Sequence, residues 1–143
     1  MEETEIVFAD TFVNFPTVTA QQKGISHGRF YTKPQVVKAK QWFKVRFLTW
    51  ASQIRENFPD ISDKPYLVEI AYFYKIKSPK KIWGKFKTTR PDIDNQTKLI
   101  LDAITDTGLF WDDDGQVVKL HLTKRYSEIN KVSIIIGVIK ENE

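Results

Sequence analysis

Two aspartates, Asp92 and Asp94, stand one residue apart in TTRPDIDNQTK, residues 88–98. Three more, Asp112, Asp113 and Asp114, follow in FWDDDGQ, residues 110–116. Carboxylates this dense repel one another and raise each other's pKa unless a cation lies between them. A hard divalent ion such as Mg²⁺ or Mn²⁺ meets that need with oxygen ligands alone. The chain has no cysteine and only two histidines, His27 and His121, so neither a thiolate nor a histidine-rich metal site is open to it. An ion so held lowers the pKa of a bound water and neutralises phosphate oxygens, the chemistry of phosphodiester cleavage. Lys98, four residues after Asp94, would set an ammonium beside the carboxylates and stabilise the charge that develops in the transition state.

A polyanionic substrate also has its counterpart. From Ile70 to Pro91 there is no acid, while Lys75, Lys77, Lys80, Lys81, Lys85, Lys87 and Arg90 all fall there. Lysines grip a phosphate backbone without reading sequence, and Trp83 and Phe86, interleaved among them, suit stacking on exposed bases. The net charge of +4 and pI near 9.2 point the same way, more weakly than the segregation does.

The elements that must position these groups follow from periodicity. Residues 4–13 read as a first strand, and 14–34, with its glycines and prolines, as a long loop with a short ribbon. From Pro34 to Asn57, Val36, Ala39, Phe43, Phe47, Trp50 and Ile54 recur at helical spacing. Residues 65–77 alternate as a strand, and a basic loop follows. Residues 94–108 form a helix capped by Asp94 and closed by Gly108; Asp94, Lys98 and Asp102 share one stripe on it, opposite Leu99, Ile100, Ala103 and Ile104. Asp92 lies just before that helix, so its carboxylate converges with that of Asp94, and Asp113 or Asp114 can close the site from a second direction. Two strands, 116–128 and 131–140, meet in a turn near Asn130. The order β–α–β–α–β–β implies a single α+β domain over residues 1–143, with a mixed or antiparallel sheet packed by two main helices.

At 143 residues, with 41% hydrophobic and 28% charged side chains, the chain is that of one globular domain. No apolar run reaches the roughly 18–20 residues that span a bilayer. The opening MEETEIVFAD carries acids where a secretory leader carries lysines, so the expected location is the compartment of synthesis. Each feature also has a structural reading. Asp94 serves as a helix cap, DDDG as an ordinary turn, the lysine run as a solvated hairpin, Asp106 as a solvent-facing acid, and Trp83 and Phe86 as packing under the loop. Trp42 and Trp50 belong to the core, and the two histidines have no partner pattern.

The stretch RPDIDNQTKLILDAITDTGLFWDDDGQVV, residues 90–118, resembles the signature of the RusA family of Holliday junction resolvases. Its elements occur in order: D-x-D-N, a lysine four positions after the second aspartate, L-D-A-(L/I), glycine, an aromatic, D-D-x-Q and a hydrophobic strand. The resemblance implies Asp92, Asp94 and Asp114 as metal-binding catalytic aspartates, Asp113 as a supporting ligand, Lys98 as the catalytic lysine and Asp102 as a supporting residue. It further implies a homodimer with a mixed α/β fold, dependence on Mg²⁺ (with Mn²⁺ as substitute) and symmetric nicking of DNA four-way junctions. The setting it implies is the cytoplasm of a bacterial or phage-infected cell. The family's N-terminal P-x-P-K-G-R-like segment is matched faintly, with Lys23 and Arg29 as stand-ins. The rival functions are a non-catalytic protein that binds branched or single-stranded DNA, and a broader nuclease for flaps and forks.

Overall fold

The computed structural model describes residues 2–17, 23–26 and 29–141, with the backbone alone over 23–26 and 29–32. Its centre is the strand β4 (Tyr66–Lys75), in which Tyr66, Val68, Ile70, Tyr72 and Tyr74 are buried and the residues between them half-buried. That period of two marks a strand with one face on a core. On one side of β4 runs β6 (Lys131–Glu141), antiparallel; on the other runs β5 (Val117–Ser127), parallel. The long β1 (Glu2–Val13) pairs antiparallel with β6 and completes a sheet of order β1-β6-β4-β5. The sheet is therefore mixed. A parallel pair needs a crossover, and here the crossover contains the helix α3 (Ile93–Thr107). The remaining pair, β2 (Lys23–Ser26) and β3 (Arg29–Thr32), is the short ribbon expected within 14–34. His27 and the side chains of Lys23 and Arg29 lie outside the described residues.

The helix expected from Pro34 to Asn57 is two helices, α1 (Pro34–Leu48) and α2 (Ala51–Asn57), so among the described residues the sheet carries three α-helices and not two. The break falls at Thr49–Trp50. There the Thr49 hydroxyl donates back to the Arg46 carbonyl at 2.7 Å, and the Trp50 indole N–H reaches across to Asp10 Oδ2 at 3.1 Å. Ile54 is buried all the same, so the apolar period runs through the break and hides it from a reading of spacing.

Aromatic rings fill the space between sheet and helices. Phe8 and Phe12 of β1 meet Phe47 of α1 with centroids 5.1 and 5.4 Å apart, and Tyr66 meets Trp111 edge-on at 5.2 Å. Such tilted and T-shaped pairs are the favoured geometries for aromatic quadrupoles. Trp42 and Trp50 pack half-buried against this core, as expected. Among the described residues no helix is long and apolar enough to cross a membrane.

Candidate active site

α3 begins at Ile93, one residue before the expected start, which makes Asp92 its N-cap and puts Asp94 in its first turn. The Asp92 side chain makes no capping hydrogen bond. Asp94 accepts one bond, from the Asn95 N–H at 3.0 Å. Both carboxylates are exposed, and among the described residues neither joins an ion pair. Their position at a helix N-terminus favours negative charge there. Lys98 is exposed one turn further on, and Asp102 is half-buried a turn beyond that, on the side away from buried Leu99, Ile100, Ala103 and Ile104. Asp106 faces solvent, with the Lys40 ammonium 3.0 Å away.

Two anchors hold this helix start in place. The Thr97 hydroxyl donates to the Ile93 carbonyl at 2.7 Å, which leaves the Tyr72 hydroxyl to donate to Thr97 Oγ1, also at 2.7 Å. Burial pushes the Tyr72 phenol well above its ordinary pKa, so the proton for that bond stays in place. The second anchor is Lys124 of β5, which the sequence reading left out. Its half-buried ammonium donates to the carbonyls of Thr89 at 2.7 Å and Pro91 at 2.8 Å, the residues leading directly into Asp92. The available signal was its alternation with Val118, Leu120 and Leu122: a lysine at the next position of an otherwise apolar face.

The second acidic group divides by role. Asp113 caps a 3-10 turn at Asp114–Gln116, its Oδ2 accepting the Gly115 N–H at 2.9 Å. A side chain at position 115 would meet that same oxygen at 2.7 Å and would push the Asp113 carboxylate off its cap. Gln116 completes the frame: its Oε1 accepts the N–H groups of Asp112 and Asp113, while its amide donates to the carbonyls of Ser62 and Lys64 at 2.8 and 3.0 Å. Asp113 thus fits the ordinary-turn reading. Asp114 is different: it is exposed, and its carboxylate makes no such bond among the described residues.

Asp114 sits far from Asp92 and Asp94 of its own chain. β5 starts beside the beginning of β4, with Tyr66 opposite Val117, and reaches Lys124 beside Tyr72, where α3 begins. From Val117 to Lys124 is about 23 Å of extended strand. The 15 residues of α3 run back over roughly 20 Å. The turn bearing Asp114 therefore belongs to one end of the sheet and the Asp92–Asp94 pair to the other. Among the described residues no three acidic or histidine side chains gather to hold a metal within one chain. Asp92 and Asp94 fit a hard divalent cation by chemistry, being exposed carboxylates that join no ion pair among the described residues, but they are two ligands and not three.

In the basic segment, Lys75, Lys77, Lys80, Lys81, Lys85 and Arg90 are exposed. Lys87 is half-buried, bonded to the Thr89 hydroxyl, with its ammonium 5.7 and 5.2 Å from the ring centroids of Tyr74 and Tyr126. It braces the segment from within. Residues 84–87 are tied to the outer edge of β5: the Gly84 N–H donates to the Tyr126 carbonyl, the Tyr126 N–H to the Lys85 carbonyl and the Lys87 N–H to the Lys124 carbonyl, all within 2.9 Å. Trp83 is half-buried, its indole N–H on the Ile76 carbonyl at 2.9 Å, so it packs under the loop. Phe86 does not, being 62% exposed. His121 is exposed, opposite Glu69 of β4, and joins no ion pair among the described residues.

A protein family described as "Endodeoxyribonuclease RusA" matches residues 14–137. The "Crossover junction endodeoxyribonuclease rusA" of Lactococcus phage r1t is 35% identical over 125 residues, covering 82% of this chain and 87% of that protein. The "Uncharacterized protein YqaN" of Bacillus subtilis (strain 168) is 45% identical over 49 residues, covering 34% of this chain and 33% of that one.

Proposed function

The chain belongs to the RusA family, endodeoxyribonucleases that resolve Holliday junctions, and on that premise we propose a Mg²⁺-dependent homodimer that makes paired, symmetric nicks in DNA four-way junctions inside the cell. One observation carries this reading: Asp92 and Asp94 stand exposed and outside any ion pair among the described residues at the start of α3, with Lys98 one turn behind them.

Asp92 and Asp94 supply two ligands, and Asp114 supplies the third from a second copy of the chain. The edge of β5 supports this arrangement. Among the described residues its outer side is covered by 84–87 alone, from Lys124 to Tyr126, and at Val118 and Leu120, which are 60% and 45% exposed, it ends the sheet. Such an edge carries unpaired N–H and C=O groups ready to accept another strand. A two-fold axis through it would lay β5 antiparallel to its mate, setting the partner's Asp114 beside the Lys124 end of this chain and thus toward Asp92 and Asp94. Four-way junctions have two-fold symmetry, so two such sites match two opposed strands.

When bound, Mg²⁺ would supply an activated water and neutralise phosphate oxygens. The protein's own groups do the rest. Lys98 places its ammonium beside the scissile phosphate and stabilises the charge that develops on it. The Thr89–Asp92 turn is held still by Lys124, and Thr97 and Tyr72 fix the first turn of α3, so the carboxylates meet the phosphate already oriented. Lys75, Lys77, Lys80, Lys81, Lys85 and Arg90 hold the DNA arms through their phosphates.

A synthetic four-way junction incubated with the protein should yield paired nicks with Mg²⁺ and none with EDTA. Asp94→Asn should abolish cutting while leaving junction binding intact or tighter, since a negative charge facing DNA is removed. Junction binding without nicks under any divalent ion would make this a non-catalytic DNA-binding protein. Equal cutting of flaps and forks would make it a broader structure-selective nuclease.

A further inference from the structure

Among the residues whose side chains are described, Phe86 is the one exposed Phe, Tyr or Trp ring. It is not a loose surface side chain. Its backbone lies opposite Arg125 of β5, and the bonds of Gly84, Lys85 and Lys87 to Lys124 and Tyr126 clamp the peptide on both sides of it. One face of the ring is covered by the Arg125 guanidinium, 4.1 Å from the centroid, and that guanidinium is itself pinned by donating to the Gly84 carbonyl at 2.8 Å. The arrangement spends backbone pairing and a cation–π contact to hold an apolar face toward water. Lys85 stands exposed beside it, and its strand is tied to Lys124, whose ammonium ends at the turn before Asp92.

A rigid ring with one face free, set in a basic segment and held to the residue that orients the catalytic turn, matches one kind of ligand: a nucleobase without a stacking neighbour. Bases in continuous duplex are stacked on both faces, and taking one out costs least where pairing and stacking are already interrupted. We infer that the Phe86–Arg125 pair is a stacking platform for an unstacked base at the branch point of DNA, and that it makes this chain prefer branched over continuous duplex. The inference rests on the junction-cutting reading above and adds to it a residue that selects substrate shape. Trp83, by contrast, has its ring half-buried and its N–H committed, so it offers no such face.

The test uses full-length protein in EDTA, where binding is read without cutting, on a four-way junction carrying 2-aminopurine at the branch point and on a duplex of the same arm sequence. Wild type should bind the junction more tightly than the duplex and change the 2-aminopurine fluorescence. Phe86→Ala should lose about tenfold in junction affinity, within the range that one base–aromatic stack supplies. It should bind duplex as before and leave the fluorescence at its free-junction value. Phe86→Trp should restore both. Because the ring is exposed, neither substitution opens the core, and matching thermal melts would confirm it. Unchanged junction preference in Phe86→Ala, equal losses on junction and duplex, or conversion of a dimer to a monomer would each overturn the platform. Absence of any junction preference in the wild type would instead overturn the reading it rests on.

Discussion

Lys124 is a side chain on which the proposed site depends without need of touching substrate. Its two bonds to the Thr89 and Pro91 carbonyls tie the residues before Asp92 to the sheet. Charge-assisted bonds of this kind contribute about 1.5–3 kcal/mol each. A slack turn lets the Asp92 carboxylate drift, and a displacement of about 1 Å can cost on the order of a hundredfold in rate. Lys124→Met is therefore expected to lower single-turnover cutting by about that factor and to raise the Mg²⁺ concentration needed for half-maximal rate, while junction affinity in EDTA stays within the same order of magnitude. Lys124→Arg, which keeps a donor and the charge, should recover part of the rate. Equal loss of binding and cutting would reassign Lys124 to DNA contact. The grouping of Asp92, Asp94 and Lys98 at the exposed start of α3 was legible in the chain because it is local, all within about two helical turns. Lys124 was not, because its acceptors are backbone carbonyls more than thirty positions away.

The basic segment acts as a unit. Four of its residues, 84–87, lie along the edge of β5, and a 3-10 turn at Lys80–Ile82 raises Lys80 and Lys81 into solvent. If these two ammonium groups contact phosphate, each releases about 0.9 of a counterion on binding. Lys80→Ala with Lys81→Ala should then reduce the slope of log K against log salt by about 2, measured by anisotropy between roughly 50 and 200 mM salt. A slope equal to wild type would place that turn away from DNA. Elements with long, clean periods were legible: β4 alternates through five buried residues, and α3 carries its apolar stripe up to Gly108, whose φ of 66° closes the helix. The pairing of residues 84–87 was not, since four residues hold no period and the bonds are made by backbone. The Thr49–Trp50 break escaped for the opposite reason, because the apolar period runs on across it.

For the whole molecule, the decisive feature is the parallel pairing of β4 with β5. The order of strands and helices implied an α+β domain, and the 90–118 motif implied its family, which residues 14–137 match. Neither dictated which strands are neighbours, because pairing is set by long-range packing and not by local pattern. A parallel β5 must start at the far end of the sheet from α3's first turn, and that separates Asp114 from Asp92 and Asp94 within one chain. The motif lists the proposed ligands in one line; the fold spreads them over about 20 Å. A two-fold assembly is the economical way to bring them together, and it joins the number of active sites to the number of strands to be cut.

Mixing two inactive variants tests that assembly. Asp94→Asn and Asp114→Asn chains, each unable to cut alone, are co-refolded in equal amounts and given a four-way junction with Mg²⁺. With sites shared between copies, half of the dimers are mixed, and in each of these one site collects both substitutions while the other is intact, so about a quarter of the wild-type sites return. The expected result is restored cutting, as single nicks in one strand without the paired nick opposite. A mixture that binds junctions but cuts no better than either variant alone would contradict it, and would mean that Asp92, Asp94 and Asp114 do not meet across a dimer.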